Sequence, residues 1–344
     1  MRYVLGVDGG NTKTIALVAT LDGRIVGAGR GGCGDIYNAP VSGTNWPDPA
    51  AAAIANIEFA VETALQAAHV LPSELLAGVF SMAGADWPED FALLNSAMRV
   101  RGYGRTISIQ NDAMGVLHAG VADNVGVSVV CGTGGATGAR GRDGRSWHSS
   151  FWQDQAQGAS QMGLLALEAV VRSELGIDPP TTLKQRFLEY FKFESVEEVL
   201  HFFTARPQNP PRRIDGIAPF LLDEAEAGDA TARKIVQEQG RAIGDYAKIA
   251  ARIVGIEGTA FPLVLAGGVL RHPSTLLPDT IIERVRTTSP DVRPTRSRFE
   301  PVIGALFTAL EAAGATIDDT LLDQLIPTIP SSELFATTLE YRLK

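Results

Sequence analysis

The chain opens on an apolar run, Tyr3 to Val7, that stops at a carboxylate, Asp8. Such a run reads as a buried strand. Thr14 to Ala19 reads as a second strand, Asp22-Gly23 as a hairpin turn, and Arg24 to Ala28 as a third strand. The glycine-rich stretch AGRGGCGDIYN then reads as a loop. Within 48–69, Ile54, Ile57, Val61 and Leu65 recur at helical spacing among alanines. LLAGVFSMAGA (75–85) is a strand running into a glycine turn. Pro88 begins a helix through about Val100, a favoured first-turn position. TISIQNDA is a strand ending in an acid, Asp112, and MGVLHAG continues it as a helix.

The opening order of events then returns. VGVSVVCGTGGATGARGRDGRS (125–146) is an apolar strand, a glycine-threonine turn, another strand and an Asp-Gly hairpin. Local identity is weak, but the succession matches 3–25, so the chain repeats one supersecondary unit. Helices are expected near 161–175, 181–192, 195–205 and 213–255, the last with Tyr246, Ile249, Ala250 and Ile253 as its apolar stripe. FPLVLAGGVL (261–270) is a strand meeting a Gly-Gly turn, and 275–288 and 301–313 read as helices.

Composition narrows the function. The 344 residues suit two domains, and 45% hydrophobic with 20% charged residues is ordinary for a soluble globular chain. A net charge of −9 argues against nucleic acid or an anionic membrane as partner. No apolar run approaches the ~18 residues of a membrane span, and no secretory signal is visible, so a cytosolic protein is expected. Cys33 and Cys131 form no CxxC pair, the five histidines show no HxxxH pairing, and no GxSxG occurs. Arg-rich RPTRSR (293–298) reads as a solvated loop.

Glycine turns follow apolar strands at 8–14, 131–135 and 266–268. Turns of this kind let successive N–H groups converge on an anion without Cβ interference. Hydroxyls at Thr12, Thr14 and Thr133 add donors. An acid beside such a nest would repel phosphate unless a divalent cation lies between them, and Mg²⁺ is commonly held by one or two carboxylates plus substrate phosphates. Asp8 with its turn therefore suits a Mg-nucleotide. No GxxxxGK[ST] is present, and the first turn joins two strands that look antiparallel, which argues against a dinucleotide fold.

At this point the residues resemble a superfamily. GVDGGNTKT resembles the first phosphate motif, VVCGTGGATG the second, LVLAGGVL the adenosine motif and IQNDA the connecting segment of the acetate-and-sugar-kinase, heat-shock-chaperone and actin superfamily. SMAGADWPED and NDAMGVLHAG are similar to the family shared by N-acetylglucosamine kinases and the activator ATPases of acyl-CoA reductases and dehydratases. The resemblance implies an α/β fold of two ribonuclease-H-like (actin-like ATPase) lobes, 1–118 and 119–344, with a nucleotide cleft between them and the last helix free to pack back on the first lobe. It implies ATP and Mg²⁺, with Asp8 holding the metal. Phosphates fall to Gly9, Gly10, Asn11, Thr12, Lys13 and Thr14 and to Gly132, Thr133, Gly134 and Gly135; Gly267 and Gly268 meet the adenosine. Lys13 stays open between phosphate contact and solvated strand charge. Asp112 matches the acid that deprotonates the attacking hydroxyl. Its alternative role is to cap the following helix, a task Asn111 can also fill.

The sugar side departs from the family. The loop that carries an asparagine in N-acetylglucosamine kinases is GGCGDIYN here, putting Asp35 and Tyr37 forward as sugar contacts. Ala83-Gly84 matches the sugar-facing turn. The family's GDEGS segment is replaced by FWQDQAQGASQMG, where Asp154 and Gln155 are partial stand-ins beside Trp152, and Gln153 and Gln157 add amides. The implied activity is ATP-dependent phosphorylation of a sugar or amino-sugar hydroxyl by a homodimer. The alternative is an ATPase that activates a partner enzyme. That class bridges subunits with an iron–sulfur cluster, for which Cys33 and Cys131 are not suitably spaced.

Overall fold

The computed structural model describes residues 2–42, 44–153, 158–206 and 213–336. Its strands are β1 (Tyr3–Gly9), β2 (Thr14–Thr20), β3 (Ile25–Gly31), β4 (Leu75–Met82), β5 (Thr106–Asn111), β6 (Gly126–Cys131), β7 (Gly135–Arg140), β8 (Ser146–His148), β9 (Pro262–Ala266) and β10 (Arg293–Arg296). Its α-helices are α1 (Pro49–Ala68), α2 (Pro88–Val100), α3 (Asp112–Gly120), α4 (Ala159–Glu174), α5 (Leu183–Phe191), α6 (Val196–Thr204), α7 (Ala218–Ala227), α8 (Ala230–Ile253), α9 (Leu276–Arg286), α10 (Pro301–Ala312), α11 (Asp319–Leu325) and α12 (Ser332–Phe335).

The chain divides into two compact units. One holds 2–128, 138–140 and 295–336; the other holds 129–137 and the described part of 141–294. The division crosses the chain several times rather than once near residue 118.

In the first unit the sheet order is β3-β2-β1-β4-β5. β1 and β2, and β2 and β3, pair antiparallel; β1 and β4, and β4 and β5, pair parallel. Both faces are covered, so the strands read as unbroken apolar runs. Successive side chains still alternate. Ala16 and Val18 of β2 pack with Ile57, Val61 and Leu65 of α1. Ile15, Leu17 and Ala19 pack with Ile303, Leu306 and Leu310 of α10. Two sequence expectations fail here. β3 continues through Gly31 rather than breaking into a loop after Ala28. The reason is close approach: a Cβ on Gly29 would lie 2.0 Å from the Ala60 carbonyl of α1, and one on Gly31 2.1 Å from that of Asn56. RPTRSR is not all loop either, since Arg293–Arg296 forms the edge strand β10.

The second sheet runs β10-β9-β6-β7-β8. In the second unit α8 packs against α4, α7 and α9. The expected single helix over 213–255 is a short 3₁₀ turn at Asp215–Ile217, then α7, then α8. Gly228 ends α7 in the left-handed region (φ 102°), and the Asp229 side chain accepts from the Ala232 N–H to cap α8. The buried stripe of α8 is Ile243, Ala247, Ala250 and Ala251; Ile249 and Ile253 lie exposed, so the expected stripe is rotated. Among the described residues no helix is long and apolar enough to cross a membrane.

Candidate active site

In the first unit the chemistry gathers at one end of the sheet. β1, β4 and β5 run parallel in register, with Gly9 opposite Met82 and Met82 opposite Asn111. Asp8, the Ala83-Gly84 turn and Asp112 therefore stand side by side at the carboxyl ends of three neighbouring strands. This is where open α/β sheets bind ligands.

Asp112 occupies the first turn of α3. The cap is Asn111, whose side chain accepts from the Ala113 N–H at 3.1 Å, so the capping alternative for Asp112 falls to its neighbour. Asn111 also donates to Asp86 Oδ1 (3.1 Å), tying the helix start to the glycine turn after β4. Burial first, then the Asp86 carboxylate, pushes the Asp112 carboxyl up to about 7, against a hydrogen bond from the Ala113 N–H that favours its ionised form. Asp8 is likewise pushed up to about 7, by burial and then by Asp112, with Lys13 partly offsetting. Each residue keeps some exposed surface, yet both carboxyls are hemmed in by protein. Two carboxyls that resist ionisation together are a place for a proton or a cation.

The turn after β1 is pinned by its own backbone. Gly10 N–H donates to Lys13 O (2.9 Å), Ala83 N–H to Gly9 O (2.7 Å) and Gly34 N–H to Gly10 O (3.0 Å). Asn11 is exposed, and Gly10, Thr12 and Lys13 are half-buried. Two expected phosphate donors have other partners. Thr14 is fully buried and its hydroxyl donates to Gly32 O at 2.9 Å, because Thr14 opens β2 facing the core. Lys13 Nζ donates to the Phe335 carbonyl at the end of α12, and Arg30 Nη1 donates to Leu334 O (2.8 Å) beside it.

Asp35 and Tyr37 sit in the loop after β3. Asp35 is 4% exposed; its carboxylate accepts from Tyr37 N–H (2.8 Å) and from the Asn38 amide (2.9 Å). A Cβ on Gly84 (φ 80°) would lie 2.8 Å from Asp35 Oδ1, so this loop and the Ala83-Gly84 turn are in direct contact. The Tyr37 hydroxyl is held by both oxygens of Asp90, each at 2.9 Å. Sequence reasoning did not single out Asp90, and it named Asn111 only as a possible helix cap. The only local signal for Asp90 was its place three residues after Trp87, where a helix-start acid reaches back to backbone amides.

In the second unit, Gly132, Thr133 and Gly134 form the β6–β7 turn and Gly135 opens β7. Gly132 N–H donates to Gly134 O (2.9 Å), and the first amides of α4, Ala159 and Ser160, donate to Gly132 O (2.7 Å) and Thr133 O (3.0 Å). The Gly-Gly turn after β9 meets the end of β6. A Cβ on Gly267 (φ 103°) would fall 2.3 Å from Cys131 O, so glycine is required at 267, whereas a Cβ on Gly268 would meet open space. Trp152 is 67% exposed, and its carbonyl accepts from the Tyr246 hydroxyl at 2.5 Å. Gln153 is fully buried and accepts from Thr137 Oγ1 (2.9 Å), so its amide serves the fold. Asp154, Gln155 and Gln157 lie outside the described residues.

Cys33 and Cys131 are free and buried, and burial pushes their thiols up to about 11 and about 12.

Comparison with known proteins follows the same lines. An N-acetylmuramic acid/N-acetylglucosamine kinase of Clostridium acetobutylicum is 25% identical over 90% of this chain and 98% of its own. An N-acetyl-D-glucosamine kinase of Dictyostelium discoideum is 24% identical over the same shares. Among solved structures, a protein of Chromobacterium violaceum named provisionally as an N-acetylglucosamine kinase superposes with a TM-score of 0.66 at 20% identity, covering 90% of this chain and 99% of that one. This shared fold is the two-lobed, actin-like one that the resemblance implied. The family model for BadF/BadG/BcrA/BcrD ATPases matches residues 5–309, and the chain belongs to that family.

Proposed function

We propose that the protein is an ATP-dependent kinase that phosphorylates a hydroxyl of a sugar or amino sugar of the N-acetylglucosamine and glucosamine type. The observation that carries this reading is the row Asp8, Ala83-Gly84 and Asp112 at the carboxyl ends of β1, β4 and β5. It is supported by two relatives named as amino-sugar kinases that match nearly end to end. Asp112 takes the proton of the attacking hydroxyl. A carboxyl titrating near neutrality is matched to that task, because it is ionised at the working pH and still basic enough to hold a proton.

Mg-ATP is the second substrate. Asp8 suits the Mg²⁺ side of it, since a divalent cation would offset the burial and the Asp112 charge that push its carboxyl up to about 7. The amides and hydroxyls of Gly9 to Thr12 and of Gly132 to Gly135 are assigned to the phosphates, and Gly267 and Gly268 to the adenosine. Lys13 and Thr14 become supports of the first turn, consistent with the partners they hold. Asp35 and the Ala83-Gly84 turn are assigned to the sugar; Trp152, Asp154 and Gln155 remain sugar-side assignments. Chemistry of this kind needs positioning and charge neutralisation rather than a covalent intermediate. A cytosolic homodimer belongs to the same reading.

The activator alternative fares worse, because its cluster needs accessible thiolates and both thiols here are buried and hard to ionise. The test is ADP release in a coupled assay against glucose, glucosamine, N-acetylglucosamine and N-acetylmuramic acid, with light scattering for the dimer. Sugar-dependent ADP release with at least one amino sugar is expected. ATP hydrolysis indifferent to every sugar would end the kinase reading.

A further inference from the structure

β3 is the edge strand of its sheet, separated from β4 by β2 and β1. The loop that leaves it at Gly32 must therefore cross three strands' width to meet the turn after β4. It is fastened near its start, where Gly34 N–H donates to Gly10 O (3.0 Å). It is fastened again at Tyr37, whose hydroxyl reaches both oxygens of Asp90 at 2.9 Å across 53 residues of sequence. Between the two ties stands Asp35, whose carboxylate accepts the backbone N–H of Tyr37 itself.

Asp90 has a second job. It is the third residue of α2, 6% exposed, and its Oδ2 accepts the N–H groups of Trp87 (2.8 Å) and Asp86 (3.3 Å). Those amides belong to the segment that follows Ala83-Gly84. One carboxylate thus holds the glycine turn by its backbone and the β3 loop by a phenol. Capping a helix start needs only the backbone bonds; the phenol is an addition that capping does not explain. Hydrogen bonds to an ionised acceptor are also the strong kind.

We propose that Asp90 is a positioning residue for the sugar side of the site: acting through the Tyr37 hydroxyl, it sets the Asp35 loop against the Ala83-Gly84 turn. The proposal rests on the assignment of Asp35 to the sugar. It changes the part given to Tyr37, from a sugar contact to the strut that holds Asp35 in place.

The experiment compares wild type, Tyr37→Phe, Asp90→Asn and the double variant, with Asp35→Ala alongside. Tyr37→Phe removes one hydroxyl with no change of shape and leaves the α2 cap intact. Asp90→Asn keeps an oxygen for the Trp87 amide. For each, KM for the best sugar of the panel, KM for ATP, kcat and Tm are measured. Each single variant is expected to raise the sugar KM by ~10-fold, the scale of one lost hydrogen bond to a charged group. The ATP KM of Asp90→Asn should stay within about two-fold. The double variant should be no worse than the worse single, because both act on the same bond: Tyr37→Phe removes it and Asp90→Asn takes the charge from its acceptor. Effects on sugar KM that multiply, a sugar KM unmoved by Tyr37→Phe, or an ATP KM that rises in step would overturn the proposal. Asp35→Ala separates it from the reading beneath. Unchanged sugar KM there, with Tyr37 and Asp90 still coupled, removes Asp35 from the sugar and leaves the strut acting on another part of the loop.

Discussion

Asp112 collects its properties from three places: the end of β5, the first turn of α3, and the carboxylates of Asp86 and Asp35. Replacing it with asparagine is expected to cut turnover by ~10²–10⁴ while leaving ATP affinity within a few-fold. In the wild type, kcat/KM for the sugar should climb as pH rises through about 7, where the carboxyl ionises. Linkage adds a stability effect of definite sign. A carboxyl near 3.8 when unfolded and near 7 when folded binds a proton on folding across that window. Folding therefore weakens as pH rises from about 4 to about 7 and stays weakened above it. Asp112→Asn removes the penalty, so its Tm should exceed that of the parent at pH 8 and match it near pH 4; a Tm no higher at pH 8 contradicts the burial argument. Asp8 makes a separate prediction. Activity should vanish in excess EDTA and return with Mg²⁺, and Asp8→Ala should impair use of Mg-ATP far more than sugar binding. Full turnover under chelation would remove Asp8 from the metal. Asp8 and Asp112 were both legible in the sequence, because an acid at the end of an apolar run is a local pattern. Asp90 was not: its tie is to a phenol supplied by another loop.

Elements here are set as much by missing side chains as by those present. α10 crosses α3 so closely that a Cβ on Gly304 would lie 1.9 Å from Gly115 O. Gly304→Ala is expected to cost ~1–3 kcal/mol or more through overpacking. Because α3 carries Asp112, kcat should fall along with Tm. Unchanged melting would mean that the two helices slide apart without penalty. The same logic explains the misread end of β3. Glycine is rare in strands, so alternating glycines look like a loop until α1 is laid across them. The break at Gly228-Asp229 had the opposite character: a left-handed glycine followed by a capping acid is a stop and a start written in adjacent residues. The apolar period ran on through it and masked both.

At the scale of the whole chain, the C-terminal segment decides whether the first unit has a second face. α10 and α11 cover Val4, Ile15, Leu17 and Val79, and the Phe335 ring joins the same cluster. A chain ending at residue 294 leaves that face of the sheet bare. It is expected to show no cooperative thermal transition by circular dichroism; a cooperative melt near the parent Tm would contradict this. Most strand positions outside the end of β3 and β10, the glycine turns, the two acids and the repeat of one supersecondary unit were already written in the order of the residues, because each depends on neighbours within a turn or a strand. Alternation along a strand also says that two faces exist. It does not say which strand lies beside which, since period two is the same for any partner. The order β3-β2-β1-β4-β5, the return of 295–336 to the first sheet, the burial of Thr14 and Gln153, and the tie from Tyr37 to Asp90 follow from that choice of neighbours. It is made by how apolar faces and close-packed glycines fit together in three dimensions, so only the tertiary structure decided them.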